Sequence, residues 1–264
     1  MILFAIIALA LLGLASGLLL GFAYQKFAVE EDPKFVKVLS LLPGSNCGAC
    51  GFAGCRGLAE ALVAGKAEVT GCLLGGAEVG KAIAEALGIE GNEREPKAAY
   101  LRCGGGREQS TLNFDYQGVP NCKAANALGR GCKTCSYGCL GFGDCVLVCP
   151  VDAITMSKDG LPVVDIKKCI ACGKCLKECP RNIFTLLPKK THYFVNCNSN
   201  DSGAATRKAC KVGCIACKLC IKACSSAAIT VENNLAVIDQ YKCQNGKDCC
   251  MKVCPTKCII EFKS

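Results

Sequence analysis

Cys169-Ile-Ala-Cys172-Gly-Lys-Cys175-Leu-Lys-Glu-Cys179-Pro180 sets four thiols at C-x2-C-x2-C-x3-C spacing and stops them with a proline. Cys214, Cys217, Cys220 and Cys224 repeat that spacing, with Ser225 in the place of the proline. Two-residue gaps let one short loop supply three thiolates to a [4Fe–4S] cube, while the fourth falls beyond reach and ligates a neighbouring cube. Structural zinc also takes C-x2-C pairs, but it does not call for a triple run ending in C-P. The proline ends the short helix begun within the run. Such cubes pass single electrons, so these residues point first to electron transfer.

Each regular run has a partner thirty residues away. Cys149-Pro150 precedes the first, with Cys145, Cys139 and Cys135 upstream at stretched spacings, and Cys254-Pro255 follows the second. Similar apolar tails follow all four: Ala153-Ile154, Asn182-Ile183, Ala228-Ile229 and Cys258-Ile259. Between the halves, residues 154–165 and 229–239 read as hairpins that turn at Asp159-Gly160 and Asn233-Asn234. Residues 130–264 therefore hold two copies of a two-fold repeat.

This stretch resembles the bacterial two-cluster ferredoxins, present here in tandem. The resemblance implies that Cys169, Cys172 and Cys175 share a cluster with Cys149. It implies that Cys179 completes another with Cys145, Cys139 and Cys135, a place for which Cys132 competes. In the second copy Cys214, Cys217 and Cys220 go with Cys254. Cys224 is left with Cys243, Cys249 and Cys250, whose C-x5-C-C spacing departs from the ferredoxin pattern. Cys258 stands where another tail carries alanine and reads as a packing neighbour.

A different motif lies nearer the N-terminus, where Cys47, Cys50, Cys55 and Cys72 follow C-x2-C-x4-C-x16-C. Two amphipathic helices are expected around it, over 55–64 with Gly65 as a cap and over 77–87 with Gly88 past the end. Val79, Ile83 and Leu87 share one face of the second. Small residues between the ligands let the backbone fold tightly over sulfur and donate N–H bonds to it, which tunes potential. The segment resembles the small four-cysteine domain shared by Rnf-complex B subunits and corrinoid iron–sulfur proteins.

Residues 1–25 carry no charge, and such a run is long enough to cross a bilayer core of about 30 Å. The first charge is Lys26, followed by Lys34 and Lys37, which sets the C-terminal side in the cytoplasm. In that reducing space metal ligation prevails over disulfides. Gly13, Gly17 and Gly21 form a small-residue stripe, open to a partner helix or to lipid alone. Anchor, four-cysteine domain and ferredoxin modules come in an order that resembles the B subunit of the Rnf complex along nearly the whole chain. The phrases Gly138-Cys-Leu-Gly-Phe-Gly-Asp-Cys145 and Gly160-Leu-Pro-Val-Val-Asp165 belong to the likeness. The resemblance implies a translocase-class electron-transfer subunit with no turnover site of its own. Its complex would move electrons between reduced ferredoxin and NAD while translocating Na+ or H+.

The expected architecture is α+β and multi-domain: an N-terminal transmembrane helix, a small helical 4Fe-4S domain and two tandem ferredoxin-like two-cluster modules. Residues 1–25 are the anchor, 33–92 the four-cysteine domain, 93–131 a connector, 132–188 the first module, 189–209 a linker and 210–264 the second module. Twenty of the 26 cysteines are assigned in this way, four to each of five [4Fe–4S] clusters. Cys103, Cys122, Cys132, Cys197, Cys210 and Cys258 are left over, either as buried thiols or for a sixth site. The expected location is the inner membrane, single-pass, with the bulk of the chain on the cytoplasmic side.

Composition narrows the rest. A single histidine, His192, excludes haem with paired His ligands, Rieske ligation and most catalytic zinc sites. No dinucleotide-binding glycine fingerprint lies between a strand and a helix. Residues 1–129 hold 11 basic and 12 acidic side chains, against 20 and 10 in residues 130–264. The basic half either compensates anionic clusters or docks an acidic partner such as soluble ferredoxin; nucleic acid is not expected. Two rival readings remain, an electron-transfer subunit of a corrinoid or carbonyl-transfer system and a zinc-binding structural adaptor.

Overall fold

The computed structural model describes residues 2–27, 32–90, 95–243 and 249–262. Helix α1 (Ile2–Phe27) has no packing face because it is apolar all round. Its stretch Ile6–Phe27 has a mean hydropathy of 2.4 and lies wholly exposed, long and apolar enough to cross a membrane. Nothing approaches the positions where Gly13, Gly17 and Gly21 would carry a Cβ.

Three helices build the small domain that follows. α2 (Pro33–Leu41) starts where Asp32 accepts the Lys34 N–H at 2.8 Å and Pro33 presets the first turn. α3 (Gly54–Val63) and α4 (Gly76–Leu87) match the expected helices, and α4 closes on Gly88 in the left-handed region at φ +68°. Phe35 and Val38 of α2 pack on Leu58 and Leu62 of α3 and Ile83 of α4, and Cys72 joins this core.

The remainder is built from four two-stranded antiparallel ladders in two similar sets. In the first set β1 (Lys97–Leu101) pairs with β4 (Phe184–Pro188), and β2 (Ile154–Met156) with β3 (Pro162–Val164). In the second, β5 (Tyr193–Val195) pairs with β8 (Ile259–Glu261), and β6 (Ile229–Glu232) with β7 (Leu235–Ile238). The two expected hairpins are present, in register Ile154↔Val164 and Ile229↔Ile238. Asn233 and Asn234 both have positive φ, as a tight two-residue hairpin turn requires. Short helices carry the ligand runs: α5 (Cys122–Ala127), α6 (Asp144–Leu147), α7 (Lys174–Glu178), α8 (Gly203–Ala209), α9 (Leu219–Ala223) and α10 (Cys249–Lys252).

Two expected boundaries need correction. The connector 93–131 contains β1 and α5, and the linker 189–209 contains β5 and the whole of α8. Each set thus begins with a strand that pairs with the last strand of the same set, so both repeats are longer than their cysteine runs. The strands escape a sequence reading because they are buried without alternation: Ala98, Ala99 and Tyr100 are all buried, as are all three residues of β5.

The sets are also joined to one another. Phe194 of β5 lies in the core of the first set, with Ile260 and Phe262 packed against it. Tyr100 meets Phe194 and Phe262 edge-on at 5.3 and 5.4 Å. Tyr100→Ala is expected to remove roughly 3–5 kcal/mol of packing. Its measure is a lower urea midpoint for loss of cluster absorbance; an unchanged midpoint would show that the aromatic joint carries no stability.

Candidate functional site

One local conformation recurs after every C-P-type cysteine. The third residue beyond Cys149, Cys179, Cys224 and Cys254 is left-handed in each case: Asp152 at +48°, Asn182 at +50°, Ala227 at +49° and Lys257 at +53°. None is glycine, so each position is held against its backbone preference. The turn carries the next N–H back to the sulfur. Ala153 donates to Cys149 Sγ at 3.3 Å and Cys258 to Cys254 Sγ at 3.2 Å, and Ala228 donates likewise to Cys224. The two regular runs match in the same way, with left-handed Ala171 and Gly173 in one and Ala216 and Lys218 in the other.

Three small cavities are each lined by at least four of the cysteines. The first is bounded by Cys122, Cys139, Cys145 and Cys179. The third is bounded by Cys214, Cys217, Cys220 and Cys254, the grouping that the ferredoxin resemblance implies, with Cys258 beside them. No three His, Cys, Asp or Glu side chains among the described residues converge as a single metal ion needs. Thiols set wider apart than one metal ion needs fit a cube better than zinc.

The first cavity departs from expectation. Cys122 takes the place expected for Cys135, which lines the second cavity instead. The cause is a tether outside the cysteine run: buried Asp144 accepts the Cys122 N–H at 2.8 Å, next to Cys145. Lys123 reaches Glu178 at 2.6 Å, which brings α5 against α7 and Cys179. Arg181 lines the same cavity, buried, with Nε unpartnered and near the Cys135 and Cys179 sulfurs. A buried cation facing thiols suits an anionic occupant.

Burial pushes the Cys139, Cys145 and Cys175 thiols up to about 12. Ligation by iron is what would hold these sulfurs as thiolates near neutral pH. Cys175 is surrounded by Cys169, Cys172 and Cys145, which sets the 169–175 run beside the first cavity. Ala99 of β1 donates to Cys169 Sγ at 3.4 Å. The Cys258 thiol donates to Cys197 and Cys214 and holds both at about 6, while its own proton is held far above the ordinary thiol range. Cys224, Cys243 and Cys250 share one core with Cys254. The Cys249 side chain lies outside the described residues.

In the helical domain Cys55 opens α3, its N–H bound to Asn46 Oδ1 at 2.8 Å. Gly54 at φ +79° is required there, because a Cβ would fall 2.7 Å from that oxygen. Cys72 accepts an N–H from Gly75 at 3.4 Å and has Cys55 and Cys50 as neighbours; burial raises its thiol. The Ala49 N–H lowers Cys47. Lys174 of α7, between Cys172 and Cys175, bonds the Cys47 carbonyl at 3.0 Å and so joins this domain to the first repeat. Cys50, Cys72 and Cys169 face one groove.

Residues 42–74 match the Fe-S cluster family (FeS), and residues 162–185 match the 4Fe-4S binding domain family (Fer4). Over 255 residues, 97% of this chain and 96% of the relative, the sequence is 44% identical to the B subunit of the ion-translocating oxidoreductase complex of Methanosarcina acetivorans. The chain belongs to that B-subunit family. It is also 44% identical to the B subunit of the Na(+)-translocating ferredoxin:NAD(+) oxidoreductase complex of Acetobacterium woodii, over 95% of this chain and 75% of the relative. The B subunit of the proton-translocating ferredoxin:NAD(+) oxidoreductase complex of Clostridium ljungdahlii is 42% identical, over 96% and 90%. Likeness to these B subunits thus runs far beyond residues 41–88, the part that suggested a corrinoid partner.

As a member of this family with this geometry, the chain should depend on Cys122 more than on Cys132, which lies apart from the first cavity. Cys122→Ser is expected to remove about four iron and four sulfide per chain, and Cys132→Ser none. Iron and sulfide analysis of anaerobically purified protein checks both.

Proposed function

We propose that the chain is the membrane-anchored electron relay of an Rnf-type complex. It carries single electrons between soluble ferredoxin and the other subunits, in a complex that couples ferredoxin:NAD oxidoreduction to Na+ or H+ translocation. Five ligand sets support the relay: Cys47, Cys50, Cys55 and Cys72; Cys149, Cys169, Cys172 and Cys175; Cys122, Cys139, Cys145 and Cys179; Cys214, Cys217, Cys220 and Cys254; and Cys224 with Cys243, Cys249 and Cys250. A bound [4Fe–4S] cluster takes up and releases one electron. The chain's residues do the rest. Turns aim N–H groups at sulfur, buried Arg181 offsets negative charge, and the cores keep water away.

The observation that carries this reading is the continuity of the thiol groups. Cys145 neighbours Cys175, and Lys174 beside Cys175 holds the Cys47 loop. The other end opens to solvent: among the described cysteines only Cys217 is exposed. Lys218 and Lys222 stand exposed on the same loop and helix, with Lys252 on the neighbouring α10. This edge suits an acidic ferredoxin, while α1 with Lys26 at its inner end ties the opposite part to the cytoplasmic face of the membrane.

Anaerobically purified protein should hold no fewer than about twenty iron atoms and give electron paramagnetic resonance signals after dithionite. About four would leave one cubane and end the relay reading. Charge reversal at Lys218, Lys222 and Lys252 is expected to slow ferredoxin-dependent reduction about tenfold or more at low salt, and less at high salt. Unchanged rates would place ferredoxin elsewhere.

A further inference from the structure

Four of the cysteines left over or displaced by the ferredoxin pattern meet in the second cavity, at the joint between the two repeats. Cys103 stands two residues after β1, and Cys197 two residues after β5, so the two sets supply equivalent positions. The strand ends are held face to face, with the Gly104 N–H on the Asn196 carbonyl at 2.9 Å. Cys135 comes from the first repeat and Cys210 from the end of α8 in the second. All four line the cavity and are electrostatic neighbours of one another.

We propose that Cys103, Cys135, Cys197 and Cys210 hold a further [4Fe–4S] cluster, two ligands from each repeat, that joins the electron path of one repeat to that of the other. Its fit rests on four observations. Four thiols line the cavity, as Cys214, Cys217, Cys220 and Cys254 line the one whose ligands follow the regular pattern. Every one of the four sulfurs accepts a backbone N–H: Cys139 on Cys103 at 3.3 Å, Ser199 on Cys197 at 3.4 Å, Tyr137 on Cys135 and Val212 on Cys210. The same donors surround sulfur in the other sets. Lys133 lines the cavity, is buried and hands its ammonium to the Gly105 carbonyl, which leaves its charge to act on the sulfurs. Finally, Gly105 keeps the space open, since a Cβ there would stand 3.2 Å from Cys210 Sγ.

Position gives this site its role, and that role rests on the relay reading above. Cys139, which donates its N–H to Cys103, lines the first cavity. On the opposite side Cys197 contacts Cys258 and Cys214, which line the third. The electron leaving a reduced cluster at Cys214 would be taken up here and passed on toward Cys139, with no bond made or broken.

An iron anomalous map of crystals of the full chain, grown without oxygen, tests the site directly. Four-iron density among the four sulfurs is the expected result. One isolated metal peak, or none, overturns the proposal. Filled neighbouring cavities with this one empty refute this site alone, whereas iron absent from all of them refutes the relay. In solution, Cys103→Ser/Cys197→Ser/Cys210→Ser should lose about four iron and four sulfide per chain relative to wild type. Full iron content in that variant overturns the proposal, and the wild-type map decides the matter should the variant not fold.

Discussion

Burying sulfur is the constraint on which the structure turns. A thiol taken out of water resists ionisation, yet a thiolate is what iron requires. Cysteines occupy the cores of both repeats, among Ile, Val and Ala, where an ordinary domain would carry larger side chains. The backbone answers by bending N–H groups onto sulfur, and it accepts left-handed Asp152, Asn182, Ala227 and Lys257 to do so. Strain of this kind, of order 1–3 kcal/mol per position, persists only where the surroundings over-determine it. A cluster seated among four thiols from distant segments would supply that determination.

Charge follows from the same constraint. The excess of basic residues in the second half is partly turned inward. Lys133 and Arg181 are buried beside sulfur, and from the first half Arg102 adds a cation next to the Cys197 sulfur. Burying such cations without anionic partners would be costly, so their placement reports where negative charge belongs. Lys218 and Lys222 stay exposed beside Cys217, and Lys252 on the neighbouring α10 is exposed as well. One compositional bias thus supplies the inner cations and the exposed ones on which the proposed docking rests.

Architecture then follows from where the ligands must go. The two ladders of each set clasp the ligand runs, and two residues past the opening strand of each set stands a cysteine that lines the joint. The aromatic contact of Tyr100 with Phe194 and Phe262 fixes one set on the other. Lys174 fixes the helical domain on the first set. Thiol groups are thereby kept as neighbours across the joint, from Cys214 through Cys197 and Cys103 to Cys139, and α1 stands free of the cores.

The sequence alone determined everything that is local. Pattern within fewer than thirty residues dictated the two regular runs, the Cys47–Cys72 motif, both hairpins, α3, α4 and the apolar helix, because in each a short loop, one periodic face or an unbroken apolar run carries the information. Only the tertiary structure decided the fate of Cys103, Cys122, Cys135, Cys197 and Cys210. Their partners lie tens of residues away, and what positions them is a strand pairing, the Asp144 bond to Cys122 and the glycine-lined turn at Gly105. A lone cysteine carries no spacing to read, so its meaning arises only when β1 and β5 bring two repeats face to face.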